Sequence, residues 1–260
     1  MDGAIEKLGV YEFFCVLLSG LIFSTICICS GIPVCFLLWS GEDSTIRLLT
    51  FLSFSCFWGL ILQGIGSFVD KKWEFLGLSH QVRKNFLETG NKKVFKEESE
   101  RNEFDRLVDK TITEKYDGSI ELNTQKERCY WAYQYFATIL EYYGKDAKIE
   151  RIGSLSGMLR SLMVMGPVLI VFHSVLFFLE FNKIMCIGYD TNPYSLVAKI
   201  LCFLTVTVFF WHRASKFARY KVRVLLREYR QFMSENDNEN LAVYRETTNA
   251  YTASKRQPDR

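Results

Sequence analysis

From Leu155 to Phe181 the chain reads LSGMLRSLMVMGPVLIVFHSVLFFLEF. This apolar run exceeds the roughly 20 residues that cross a ~30 Å hydrocarbon core as a helix. It reads as a transmembrane span entered directly from a polar segment that ends at Gly153. Ser154 is placed to cap its start, because its hydroxyl can accept a hydrogen bond from a first-turn amide that has no helical partner. Arg160 falls one to two turns in, where its stem can lie in apolar surroundings while the guanidinium lifts back to the headgroups. Gly166-Pro167 interrupts the middle of the span. Proline removes one backbone hydrogen bond and presses on the preceding turn, so a kink is expected there.

Composition alone hides this, since 49% hydrophobic and 23% charged residues would suit a soluble protein. The residues are segregated, however. Apolar blocks occupy 13–39, 46–69, 155–181 and 194–212, while most charges lie in 70–151 and 213–260. The expected fold is an all-α integral membrane protein with four transmembrane helices and a helical cytosolic insert between spans two and three. Its parts are an N-terminal transmembrane hairpin (1–69), the insert (70–153), a C-terminal transmembrane hairpin with a basic cytosolic extension (154–233) and a flexible tail (234–260). The first block is about twice the length of a signal-peptide core and lacks a strongly basic lead, so it reads as a span. Gly31 and Pro33 predict a kink in its outer half, Trp39 an interfacial anchor, and residues 40–45 a tight acidic turn. In the second span Ser55, Gly59, Gln63 and Ser67 recur every fourth residue, a small-residue face for close helix packing on which Gln63 wants an interhelical hydrogen bond.

Within the insert, Leu78–Leu87 suggests a short amphipathic helix, Thr89-Gly90-Asn91 a break, and Lys92–Tyr116 a helix with Phe95, Phe104, Leu107, Val108 and Ile112 on one stripe. After a turn at Asp117-Gly118-Ser119, Thr124 and Glu127 have capping-box spacing and open a helix over Gln125–Tyr143. Its aromatic residues, Tyr130, Trp131, Tyr133, Phe136 and Tyr143 among them, keep helical spacing, which favours a core or subunit interface over a ligand cage. The last span, Tyr194–Trp211, continues without Gly or Pro into a stretch carrying Arg213, Lys216, Arg219, Lys221, Arg223, Arg227 and Arg230. Two roles fit this extension. It can bind anionic lipid by ~1 kcal/mol per basic residue, or pack on the insert through Val222, Leu225, Leu226, Tyr229 and Phe232. Beyond Ser234 the polar, weakly patterned sequence predicts a mobile tail.

Positive charge sets the orientation. Lys71, Lys72, Arg83 and Lys84 follow span two; Lys145, Lys148 and Arg151 precede span three; the exit of span four is more basic still. The two short loops hold only Lys183, with Arg47 at an edge. Both termini and the insert are therefore expected on the cytoplasmic side of the inner membrane.

Candidates for chemistry are few. There is no Walker loop, GxSxG, HExxH or paired-carboxylate motif, so neither an enzyme nor a cofactor or metal site is expected. Most of the eight cysteines fall within spans, and none forms a CxxC pair. A net charge of +3, with the basic residues gathered at span borders, points to anionic headgroups at Lys71, Lys72, Arg213, Lys216, Arg219, Lys221 and Arg223, and not to nucleic acid. His173 and Gln63 are polar groups at membrane depth. Glu180 and Lys199, near the outer ends of the last two spans, can pair or reach the interface separately. Gly153, Gly157 and Ser161 repeat every fourth residue at the start of span three, a face for close contact beside Arg160, within a junction that runs on to Gly166 and Pro167.

Leu8-Gly9-Val10-Tyr11-Glu12-Phe13-Phe14 with Ser19-Gly20, and Met158-Leu159-Arg160-Ser161-Leu162, resemble the opening and third-span entry of a loose group of uncharacterised bacterial four-span inner-membrane proteins. That group begins Leu-Gly-x-Tyr-Asp-Phe-Phe, followed by Pro-Gly; this chain has Glu12 for the Asp and Ser19 for the Pro. Some members are associated with phage-defence loci, so the resemblance implies an immune role. The expectation is a homo-oligomer that couples a cytosolic signal to the membrane as a pore-type or membrane-perturbing defence effector. The alternative is a non-conducting sensor or scaffold holding a soluble cytosolic partner.

Overall fold

The structure, a computed structural model, describes residues 2–30, 44–73, 76, 78–88, 94–95, 97–115, 122, 124–184 and 189–254, with side chains placed from residue 11 to residue 235. Its elements are α1 (Asp2–Cys29), α2 (Ser44–Lys72), α3 (Ser79–Lys84), α4 (Glu98–Lys115), α5 (Gln125–Tyr142), α6 (Ala147–Phe181) and α7 (Pro193–Ser254), and no strand occurs among the described residues. Four stretches are long and apolar enough to cross a membrane: Tyr11–Cys29, Ser44–Lys72, Ala147–Phe181 and Pro193–Glu235. The features expected at 31–39, 40–43, 89–91 and 117–119 lie outside the described residues.

The four long helices bundle around Phe23, Cys27, Leu62, Leu162, Met165, Leu169 and Phe203. Lipid tails are as apolar as these side chains, so contact distance and hydrogen bonds must hold the bundle. α1 and α2 meet at glycines: a Cβ on Gly20 would lie 1.7 Å from the Ser55 carbonyl oxygen, and one on Gly59 2.1 Å from that of Val16. Beside them the Ser55 hydroxyl donates to Ser24 Oγ over 3.1 Å. The buried stripe of α2 is Ser55, Gly59, Leu62, Gly66 and Asp70. It leaves the expected four-residue repeat after Gly59, and the interhelical hydrogen bond expected of Gln63 is not formed among the described residues. Outward, Phe14, Phe57, Phe68, Phe178 and Phe209 are exposed, as suits lipid contact.

A second core lies at the other end of the long helices. Phe86, Phe95, Phe104, Val108, Phe136 and Leu140 pack there with Ile149 of α6 and with Val222, Leu225, Leu226, Tyr229 and Phe232 of α7. The Phe136 and Tyr229 rings stack with centroids 4.0 Å apart. Of the two roles open to the basic extension, packing on the insert is thus realised by its apolar stripe. Each large side chain buried from water there is worth about 1.5–3 kcal/mol. The surrounding ion pairs, Arg227 to Glu100 and Arg230 to Glu103, both 2.7 Å, are solvated and contribute little.

Local signals fix the helix ends. Thr124 Oγ1 accepts from the Glu127 amide at 3.3 Å, and the Glu127 carboxylate accepts from the Thr124 amide at 2.9 Å, closing the capping box of α5. Thr124→Ala is expected to lower thermal stability by about 1 kcal/mol, read from melting of the purified protein. α5 ends at Gly144, whose φ of 65° lets Lys145 N reach the Leu140 carbonyl at 2.8 Å and Gly144 N that of Glu141 at 2.9 Å. The turn is then so short that α6 starts at Ala147, two turns before Ser154. Ser154 is no cap: its hydroxyl donates back to the Glu150 carbonyl at 3.2 Å. The helix runs through Pro167 without interruption. The backbone of α7 continues through the polar stretch after Ser234 to Ser254.

Candidate functional site

The two cores meet where α2 ends, and the meeting point is built on Asp70. Its carboxylate is almost fully buried, with 5% of the side chain exposed. One oxygen accepts from the His80 amide of α3 at 3.1 Å, and the other pairs with Nη1 of Arg160 on α6. Arg160 does not lift its guanidinium to the headgroups. It turns inward, because a buried carboxylate one helix away is a stronger partner than water at the interface, and its Nε is buried with no partner among the described residues. Ser79 Oγ and Ser156 Oγ, 3.4 Å apart, tie α3 to α6 beside it, and Trp211 Nε1 of α7 donates to the Leu76 carbonyl at 2.9 Å. Three long helices and the entry to the insert are therefore joined by polar contacts within one layer.

The small face of α6 leaves this layer its room. Gly157 has Nη2 of Arg160 3.8 Å and Nε2 of Gln63 3.9 Å from where its Cβ would be, and Gly153 has Lys221 Nζ at 2.7 Å. Instead of bringing two backbones together, these glycines accommodate polar side chains. Ser161 is buried and donates to the Gly157 carbonyl at 3.2 Å. The backbone approach expected of this face is made higher up, at Gly166, whose Cβ would lie 2.7 Å from the Phe203 carbonyl oxygen and 2.0 Å from Thr207 Oγ1. Lys221 lies within electrostatic reach of Arg83, Arg160, Glu150 and Glu12, and Arg151 stands 5.2 Å over the Tyr11 ring, so the start of α1 joins the same layer.

The basic residues expected at headgroups divide by position. Lys71, Lys72, Arg213 and Lys216 are exposed. Arg219 Nε donates within its own helix to the Ser215 carbonyl at 3.2 Å, Lys221 turns to Gly153, and Arg223 Nε donates to the Val94 carbonyl at 3.0 Å. Those on the insert side of Ala218 are thus directed to protein.

At the opposite end of the bundle His173 is completely buried and stacks on Phe203. Its Nδ1 bonds the Tyr189 hydroxyl, whose oxygen also accepts from Lys199 Nζ at 3.3 Å. Lys199 is thereby drawn to the loop tyrosine. Burial, then the charge of Asp190, raises the Tyr189 phenol above its ordinary value. This contact plugs the bundle end; His173 Nε2 has no partner among the described residues.

In the insert, burial pushes the Cys129 thiol up to about 11, which leaves it protonated and unreactive. No three His, Cys, Asp or Glu among the described residues come together to hold a metal ion. What the junction can do is electrostatic and mechanical. Its Asp70–Arg160 pairing spans ninety residues of sequence, and the only local sign of it was an acidic residue at the head of a basic border. Compared with protein-family models, curated proteins and solved structures, the chain gave no match.

Proposed function

We propose that this protein couples a change in its helical insert to the packing of its membrane helices, acting as a homo-oligomeric inner-membrane effector that perturbs the membrane. One observation carries this reading. α6 and α7 each belong to both cores: Ile149 packs in the insert and Leu162, Met165 and Leu169 in the bundle, while α7 sends Phe203 to the bundle and Val222 through Phe232 to the insert. A continuous helix held at both ends transmits a shift at one core to the other, since packed cores are bistable more than they are deformable. The Asp70–Arg160 pair lies between them and holds one arrangement. Gly64, exposed with open space around it on the outward side of α2, is a place for a second copy to approach. The resemblance at residues 8–20 and 158–162 supplies the setting, defence against phage.

The test is membrane potential, followed with a voltage-sensitive dye in bacteria expressing the intact chain or Arg160→Ala at matched membrane abundance. Depolarisation by the intact chain and not by the variant is expected. Equal depolarisation by both removes the junction from the mechanism. A potential held steady by both, with or without phage, rejects the effector and favours a scaffold whose insert holds a soluble partner. That second reading draws on the exposed rings of Tyr142 and Tyr143, 79% and 55% accessible, at the end of α5.

A further inference from the structure

Between α2, α6 and α7 an apolar cavity of about 600 Å³ opens sideways from the bundle. Ile65 and Val69 form one wall, Met163, Val168 and Val175 another, and Val208 a third; Trp73 and Trp211 close one end. We infer that this groove is a binding site for one anionic phospholipid of the leaflet nearest the junction, with an acyl chain in the groove and the phosphate at Lys72 and His212.

Three observations select that occupant. Met163 to Val175 covers about 18 Å at 1.5 Å per residue, close to the ~15 Å depth of one leaflet's hydrocarbon. The groove therefore fits a chain that enters at the tryptophans and ends near the bilayer midplane. Both tryptophans lie at that one end, the position such rings take at a membrane surface, and the Trp211 indole is held there by the Leu76 carbonyl. Among the described residues, a lysine and a histidine stand just beyond the rim. Lys72 follows Ile65 and Val69 on the helix face that lines the groove, His212 follows Val208 by one turn, both are exposed, and neither has an ion-pair partner among the described residues. A second copy seated by a two-fold axis along the membrane normal would bring its own Lys72 to the same depth, cation against cation. A phosphate would pair with Lys72 and accept a hydrogen bond from the His212 ring instead.

The experiment uses the full chain reconstituted in phosphatidylcholine vesicles, with a stated fraction of lipid replaced by phosphatidylglycerol or phosphatidylcholine carrying a dibrominated chain, which quenches tryptophan on contact. Half-maximal quenching is expected at about tenfold lower mole fraction for phosphatidylglycerol. Lys72→Ala/His212→Ala, both at exposed positions, should bring the two curves together. Trp73→Phe/Trp211→Phe should abolish the difference while leaving quenching of the remaining tryptophans. Coincident curves for the unaltered protein overturn the inference. So does a phosphatidylglycerol preference that survives the Lys72/His212 change, or quenching by either lipid that falls as the protein-to-lipid ratio rises, since the groove would then be covered by a second copy. None of these readouts depends on membrane depolarisation, so the site and the proposed effector role stand or fall separately.

Discussion

Arg160→Ala is expected to destabilise the protein by about 3–5 kcal/mol, the cost of leaving a buried charge without its partner. The charge left behind is Asp70, whose side chain is 5% exposed and would keep only the His80 amide as a donor. Asp70→Ala should cost a similar amount, because the Arg160 side chain, 20% exposed, would then be left without its carboxylate. The two losses should not add. Asp70→Asn/Arg160→Met removes both charges, keeps the His80 hydrogen bond and fills most of the same volume, so it should recover stability to within about 1 kcal/mol of the unaltered protein. Reversible unfolding in mixed micelles by increasing denaturing detergent measures all four. Single substitutions costing under 1 kcal/mol, or full additivity, would show that the pair is solvated and holds nothing. The double variant also separates structure from signalling. With stability restored and the charged latch gone, a depolarising activity that depends on the pair stays lost.

The four long apolar helices were legible because a bilayer imposes a length, and runs such as 155–181 meet it. The capping box at Thr124 and Glu127 was legible for a related reason: its partners are three residues apart, so sequence spacing is spatial distance. The stripe Val222, Leu225, Leu226, Tyr229, Phe232 predicted a buried face correctly, and the basic residues interleaved with it obscured what that face meets. The stripe on α2 failed for a geometric reason. At about 100° per residue an every-fourth repeat advances 40° each step, so by Gln63 and Ser67 it has walked off the face that began at Ser55. The helix instead buries Leu62, Gly66 and Asp70. That drift hid the central contact as well, since Asp70 in Asp-Lys-Lys-Trp reads as part of a basic border until the helix rotation shows it facing inward. Arg160 was singled out, and its partner was not, because ninety residues of intervening chain carry no spacing rule. Lys199 differed likewise: Glu180 was the obvious charge, and the hydroxyl of Tyr189 from the loop was the group within reach.

The second large effect is expected where no charge is involved. Gly20→Ala should separate α1 from α2 and destabilise the bundle by at least about 3 kcal/mol, at the upper end of overpacking. A methyl there would sit 1.7 Å from the Ser55 carbonyl oxygen and 2.9 Å from the Gly59 amide nitrogen, and backbone atoms within a helix cannot rotate aside as a side chain can. Gly59→Ala meets the Val16 carbonyl oxygen at 2.1 Å from the opposite direction and should cost nearly as much. Gly66→Ala, 3.3 Å from the Arg160 backbone, asks for a shift of only a few tenths of an ångström and should fall between. Gly64→Ala has nothing within 4 Å and should be neutral, or stabilising by up to about 1 kcal/mol through helix propensity. The order Gly20, Gly59, Gly66, Gly64 in unfolding free energy is the measurement, and equal stability of the Gly20 and Gly64 variants would refute the close approach. The consequence reaches the junction, because α2 carries both Gly59 and Asp70. Pushing α2 away from α1 at Gly59 moves the carboxylate three turns further along the same rigid helix, so Gly20→Ala should weaken the Asp70–Arg160 coupling measured in the double-variant cycle although neither residue has been touched.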